Sequence, residues 1–216
     1  MSIREIKLVP DLQAAGLSFT TNLVNNNYCA TINCYYEVNK VHALLPKTYL
    51  DALNIQKGSA IVDLGWYSSE RGQRVSLRDL RFKARHYNST TLPTSFLSSA
   101  TFDFIKGDAT YGEDFPMSLV AVGDYTYYGL DKPFVWNGKD NIVFEFTRVD
   151  TSWEGQPGLW RVINTATRQL GGYRADGRNY AQVRDQSTYS NSYSEVVDLC
   201  MKIRTNDAAM LMGISL

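Results

Sequence analysis

Glu145, Asp150 and Glu154 are the carboxylates best spaced along the chain to act as a pair. Facing each other across a cleft, ~5 Å apart for retention or ~6.5 to 9.5 Å for inversion, two such groups would hydrolyse a glycosidic bond. The pattern does not favour it. No E-x-D-x-x-E run lines acids along one strand face, so solvated or hydrogen-bonded acids are expected. Nucleophilic catalysis lacks parts as well: there is no G-x-S-x-G elbow, and only His42 and His86 are available as a base. His86 closes the apolar row of a strand and reads as a core-edge residue. His42 lies among apolar residues, with no second histidine or carboxylate at zinc-ligand spacing. Gly171-Gly172 is followed by Tyr173-Arg174 and not by Lys-Ser or Lys-Thr opening a helix, so it does not read as a phosphate loop. These residues predict a protein that is not an enzyme and that needs no cofactor or metal.

Binding chemistry is better represented. Arg81, Lys83 and Arg85 alternate along one strand and form a basic stripe on one face. Such a stripe would meet an acidic partner, a phosphate or a sulfated glycan, or it would be a solvated face or the cross-strand partner of acids such as Glu145. Trp66, Trp136 and Trp160 sit beside strands, the first two at core-packing positions. Trp153, between Ser152 and Glu154 in a loop with Gly155 and Pro157, is the accessible one and the candidate for stacking on a sugar. The long polar segment from Ala166 to Ser192 is expected to be a loop at an interface, because Tyr173, Arg174, Arg178, Tyr180 and Arg184 are of the types enriched at binding surfaces. Met210, Leu211 and Met212, with Ile214 and Leu216, make an apolar C-terminal tail that needs cover from its own core or from a neighbouring subunit. Cys29 and Cys34 are five residues apart in an alternating stretch and point to opposite faces, so no disulfide is expected between them; Cys200 is the odd third.

The elements that must position these residues repeat with period two. Residues 28–38 alternate as a half-buried strand, and Leu80, Phe82, Ala84 and His86 alternate with Arg81, Lys83 and Arg85. Further strands are expected at 59–67, 118–122, 124–128, 141–149, 159–164 and 196–204, between Gly, Asp, Asn or Pro signals. Only Pro46 to Ile55 reads as a helix, with Pro early and Tyr49, Leu50 and Leu53 at helical spacing. The fold class is therefore all-β, an antiparallel two-sheet β-sandwich of jelly-roll type with one short helix. The 216 residues, 44% hydrophobic and 20% charged, suit one globular domain. The expected divisions are an N-terminal arm at 1–15, the sandwich at 16–205 and the apolar tail at 206–216. Lysines and arginines total 22 against 22 acids, which removes the overall field that nucleic acid or an anionic membrane surface would need. Nothing approaches a ~20-residue membrane span, and residues 1–15 are too interrupted by Arg4, Glu5, Lys7 and Asp11 for a signal-peptide core, which predicts synthesis in the cytoplasm.

Residues 133–145, PFVWNGKDNIVFE, join an aromatic strand end to a hydrophobic strand through Asn137-Gly138, the residues of a two-residue type I′ hairpin turn. This segment resembles the F-x-(Y/W)-(D/N)-G-x-x-N-(I/L)-V pattern of β-sandwich modules in secreted surface proteins of Bacteroidetes-type bacteria. Residues 49–67 are similar to the same modules' short helix, Gly-Ser turn and apolar strand, and 77–87 to the strand that follows, so the resemblance spans roughly residues 28 to 205. It implies the sandwich fold far more than an activity. A surface-type sandwich made without an export signal fits a bacteriophage virion protein, a capsid decoration or cement subunit or a head-fibre or tail-associated one. Its partners would be other virion proteins of the capsid or tail lattice, and by analogy it would be a homo-oligomer, a trimer. The alternative is a carbohydrate-binding or receptor-binding module using Trp153, secreted or at the cell surface if a signal was removed.

Overall fold

A computed structural model of the chain describes residues 2–24, 36–69, 76–150 and 160–205. The strands in chain order are β1 (Ser2–Lys7), β2 (Thr21–Val24), β3 (Val38–Leu45), β4 (Ala60–Ser68), β5 (Ser76–Tyr87), β6 (Asp103–Lys106), β7 (Glu113–Pro116), β8 (Asp124–Tyr127), β9 (Phe134–Val135), β10 (Asn141–Val149), β11 (Trp160–Asn164), β12 (Leu170–Ala175), β13 (Asn191–Tyr193), β14 (Glu195–Val197) and β15 (Leu199–Thr205). The helices are short: α1 (Leu8–Ala14), α2 (Lys47–Ala52) and α3 (Tyr180–Arg184). All the strand pairs are antiparallel. Sheet A runs β1-β15-β4-β11-β14, with β2 on β11 and with β8 and β9 on β4; sheet B runs β13-β12-β3-β10-β5-β6, with β7 on β5. The fold is an all-β two-sheet sandwich.

Alternation explains the layers. Ile142, Phe144 and Phe146 of β10 point inward with Val41 and Ala43 of β3 and Phe82 and Ala84 of β5, and meet Leu64 and Trp66 of sheet A. Trp66 stands at the centre, stacked on Tyr128 at 4.2 Å and edge-on to Phe146 at 5.3 Å and Trp160 at 5.7 Å. The predicted strand at 141–149 and the helix around α2 are both found, and β4, β5, β8 and β11 lie where alternation places them.

Within the expected N-terminal arm, β1 pairs along β15 from Ser2 with Thr205 to Lys7 with Cys200, and Leu8, Val9 and Leu12 of α1 are buried. Other expectations change. Residues 117–119 form a 3-10 turn and not a strand. The single strand expected at 196–204 breaks at Asp198, whose buried carboxylate accepts from Val9 N at 2.9 Å, Arg161 Nε at 2.6 Å and Tyr125 Oη at 2.8 Å. Segment 166–192 is no open loop. It contains β12, paired on both edges with β3 and β13, then α3.

Asn137-Gly138 does not form a type I′ hairpin. Gly138 has φ of 74°, but Asn137 is not among the positive-φ residues, and β9 belongs to sheet A while β10 belongs to sheet B. The segment is a crossover between sheets, held by the side chains of Trp136, Asn137 and Asn141. Trp136 Nε1 donates to Asp140 O at 2.8 Å, and Asn137 Oδ1 accepts from Lys139 N at 2.9 Å and Asp140 N at 3.0 Å. Asn141 Oδ1 accepts from Lys47 N at 2.6 Å, opening α2, while its Nδ2 donates to Ser89 O at 2.8 Å. Residues 28–35 of the first predicted strand, with Cys29 and Cys34, lie outside the described residues, as do Trp153, Glu154 and the tail residues Met210, Leu211 and Met212.

Candidate functional site

The outer face of sheet B carries the densest polar chemistry. Register places Glu145 of β10 directly between His42 of β3 and Lys83 of β5, and extends that row to Gly171 of β12 and Phe104 of β6. Strand alternation, which sends Phe144 and Phe146 into the core, sends Glu145 to the other face. Yet Glu145 is fully buried, because residues 88–102 and the segment around α3 roof this face. The two roof segments are joined to each other and to the sheet: Phe96 N donates to Ser187 O at 2.9 Å, and Leu92 N to Arg168 O at 2.8 Å. Gly171 lets the roof approach, since a Cβ there would stand 2.4 Å from the ring of Tyr189.

Under the roof the carboxylate is a hub. His42 Nε2 lies 2.9 Å from Glu145 Oε2, Ser99 Oγ donates to the same oxygen at 2.5 Å, Lys40 Nζ is 3.6 Å from it, and Lys83 Nζ is 3.4 Å from Oε1. Lys40 Nζ also donates to the carbonyls of Arg184 at 2.7 Å and Gln186 at 3.1 Å, just past the end of α3. Both ammoniums lie over rings, Lys40 4.6 Å from Phe96 and Lys83 4.3 Å from Phe104. Burial alone would raise the Glu145 carboxyl, but the bond to His42 and the charges of Lys40 and Lys83 hold it well below the usual carboxylate range. Burial lowers His42, which is therefore the neutral imidazole at pH 7 and donates through Nε2. Burial also lowers Lys40 and Lys83, against the pull of Glu145.

His42 and Ser99 share one carboxylate oxygen of Glu145. Asp150 is engaged with Arg148 at 3.3 Å and both are buried. Of the basic stripe, Lys83 pairs with Glu145 across the strands, one of the outcomes expected for it. Arg81 is buried under the Tyr180 ring at 3.7 Å, with its Nε donating to Asp108 O at 2.8 Å, and Arg85 bonds Thr101 Oγ1 at 2.5 Å. Arg81 and Lys83 are thus covered, and Arg85 is half-buried. His86 is structural: its Nε2 accepts from Asn137 N at 3.1 Å.

The expected interface residues of 166–192 do not stand together. Tyr180 is buried on Arg81, Arg184 clasps Asp185 at 2.7 and 2.8 Å, and Arg174 lies over Tyr36 at 4.1 Å, while Tyr173 is half-buried and Arg178 exposed. The helix α3 that rearranges them has a sequence signature. Asn179 and Gln182 form a reciprocal capping box, with bonds of 3.0 Å in each direction.

A second surface was not anticipated. On β4, Trp66 points inward, so Tyr67 points outward, and register sets it beside Tyr125 of β8 with ring centroids 5.5 Å apart. Arg161 lies 3.8 Å over Tyr67, Lys7 5.3 Å over Tyr125 and Lys202 4.5 Å over Tyr127. All six side chains are partly exposed, and among the described residues no segment roofs this face as 88–102 roofs sheet B. No family model matches the chain, and no curated protein matches it. The reading of function therefore rests on these two faces. Among the described residues no group of His, Cys, Asp and Glu is placed to hold a metal, and no helix is long and apolar enough to cross a membrane.

Proposed function

We propose that this chain is a non-enzymatic structural subunit of a bacteriophage virion, acting through protein–protein contacts with the capsid or tail lattice. The observation that carries the contact reading is the outer face of sheet A, which none of the described segments roofs and where Tyr67, Tyr125 and Tyr127 interleave with Lys7, Arg161 and Lys202. Tyrosine and arginine are the types enriched where surfaces are buried by a partner, and here each cation is already held over a ring, which reduces the side-chain entropy lost on docking. A strand-built face presents them rigidly. The bias to a virion comes from the sandwich fold and the resemblance of residues 133–145, and the engagement of Glu145 by its neighbours speaks against hydrolysis.

The test is peptide mass spectrometry of gradient-purified particles from cultures that make the chain. Recovery at a copy number comparable with other structural proteins supports the proposal, and recovery only in the soluble lysate refutes it. Within particles, Tyr67→Ala with Tyr127→Ala should lower occupancy. Selective binding of the isolated chain to a glycan array, unaffected by that pair of substitutions, would instead favour the carbohydrate-binding alternative.

A further inference from the structure

Between the roof and the edge of sheet B, beside the Glu145 hub, lies a half-open cleft of about 610 Å³, within the range that holds small organic ligands. Its floor includes Lys40 and Lys83, its walls include Phe96, Phe102 and Phe104, and Ala109 stands on its rim. We propose that this cleft binds a small organic monoanion, a carboxylate on a flat apolar body, with the carboxylate on Lys83 and the body against the phenylalanines. The inference is independent of the contact reading of sheet A.

Charge and donor count lead to it. Two buried ammoniums face one buried carboxylate, since Arg184 is neutralised by Asp185 at the rim. One positive charge is left over, and a buried charge without a partner is costly. Lys40 donates to Arg184 O and Gln186 O and pairs with Glu145 at 3.6 Å, so backbone carbonyls hold it in place. Lys83 has weaker company: Ser99 O at 3.3 Å and Glu145 Oε1 at 3.4 Å are its oxygen neighbours, which leaves a third N–H for a ligand. A single negative charge balances the floor, whereas a dianion would exceed it. The apolar walls exclude a fully hydrated ion and select a ligand with a body to bury. Lowering of Lys83 by burial, noted above, would be relieved by such an anion.

The experiment uses the full chain and benzoate, with benzyl alcohol as the neutral aromatic analogue and inorganic phosphate as the bare anion, by titration calorimetry and saturation-transfer NMR. Benzoate should bind with Kd at or below about 1 mM, and benzyl alcohol and phosphate at least about tenfold more weakly, the loss expected for a charge-assisted hydrogen bond or for the apolar contact. Lys83→Met should weaken benzoate about tenfold or more by the same reasoning. Because Lys83 also faces Glu145, a second variant keeps the test open: Ala109→Trp fills the rim from an exposed position and should abolish binding with an unchanged far-ultraviolet circular dichroism spectrum and an unchanged Tm. The proposal is overturned if benzoate does not bind, if benzyl alcohol or phosphate binds as well, or if both variants bind benzoate as the parent does.

Discussion

Replacing Glu145 with Gln removes one charge and almost nothing else. The carboxamide keeps the volume, and its oxygen still accepts from His42 Nε2 and Ser99 Oγ, which meet Oε2 at 2.9 and 2.5 Å. Lys40 and Lys83, now 3.6 and 3.4 Å from a carboxylate oxygen, would be left buried with no counter-charge. At an effective dielectric constant of ~20 each contact is worth roughly 4 to 5 kcal/mol of Coulomb energy, set against the desolvation of the carboxylate itself. Breaking a buried pair by removing one partner costs about 3 to 5 kcal/mol. A domain stable by ~5 to 15 kcal/mol would thus lose roughly a fifth or more of its stability. Urea titration followed by the fluorescence of the buried Trp66, Trp136 and Trp160 should report it, with a fall in Tm of ~6 to 20 °C, at ~2 to 4 °C per kcal/mol for a chain of this size. The triple change Lys40→Met, Glu145→Leu and Lys83→Met, which removes every charge of the hub, should recover most of the loss. A cost below ~1 kcal/mol for Glu145→Gln would mean that water screens the hub as it does a surface pair, and the buried-charge account would be wrong.

The same hub sets a pH response. His42 is held neutral by burial, below its ordinary value of 6.5, and the unfolded chain takes up that proton first, so stability should fall as pH drops through about 6.5. Glu145 has its folded value depressed, so its contribution is present above its ordinary 4.5 and is lost as pH falls through the folded value. His42→Gln should flatten the first limb and leave the second, measured by urea midpoints between pH 7 and 3. Gly138→Ala should cost on the order of 1 to 2 kcal/mol by the strain of left-handed backbone, with its Cβ 2.5 Å from Lys57 Cβ as a further burden; an unchanged melting curve would show that the crossover adopts another path. Brief trypsin digestion should cut after the exposed Arg178 before Arg174, which pairs in β12 with Asn39 of β3, and mass spectrometry giving the reverse order would count against that pairing. Deleting residues 207–216 should leave a folded domain that sediments as a smaller species than the full chain, and outright unfolding would assign the tail to its own core.

Strands buried on one face were legible, because alternation is the signature of one apolar and one polar side. β10 was read at Asn141–Val149, where it lies, and β5 was read from its alternating Leu80–His86 stretch. The strands missed are those whose environment breaks that signature. β3 is buried on both faces, so Lys40 and His42 interrupt an apolar run without marking a solvent side. β12, LGGYRA, begins with two glycines that read as loop, yet Gly171 is demanded by the ring of Tyr189. The Asn137-Gly138 pair misled in a specific way. The short-range turn signal was present, but whether two flanking strands share a sheet is decided by long-range pairing, and here β9 pairs with β4 while β10 pairs with β3 and β5.

The hub shows why a site built by register resists reading from sequence. Its side chains come from positions 40, 42, 83, 99 and 145, on three strands and a 3-10 turn. Alternation could pair Lys83 with Glu145 once two strands were placed side by side, and nothing local could add Lys40, His42 or Ser99. Physically, though, the row constrains the fold that conceals it. A one-residue slip of β10 against its neighbours would turn Glu145 into the interior among Phe82 and Trp66 and bring Phe144 or Phe146 out beneath the two lysines. Both errors bury unpaired charge, at several kcal/mol each. Buried ion pairs add little to stability over an apolar core of the same volume, so the distinctive effect of this one lies in the alternatives it penalises: a sheet B whose outer face were wholly apolar would be held in register by shape alone, and this one is held also by charge.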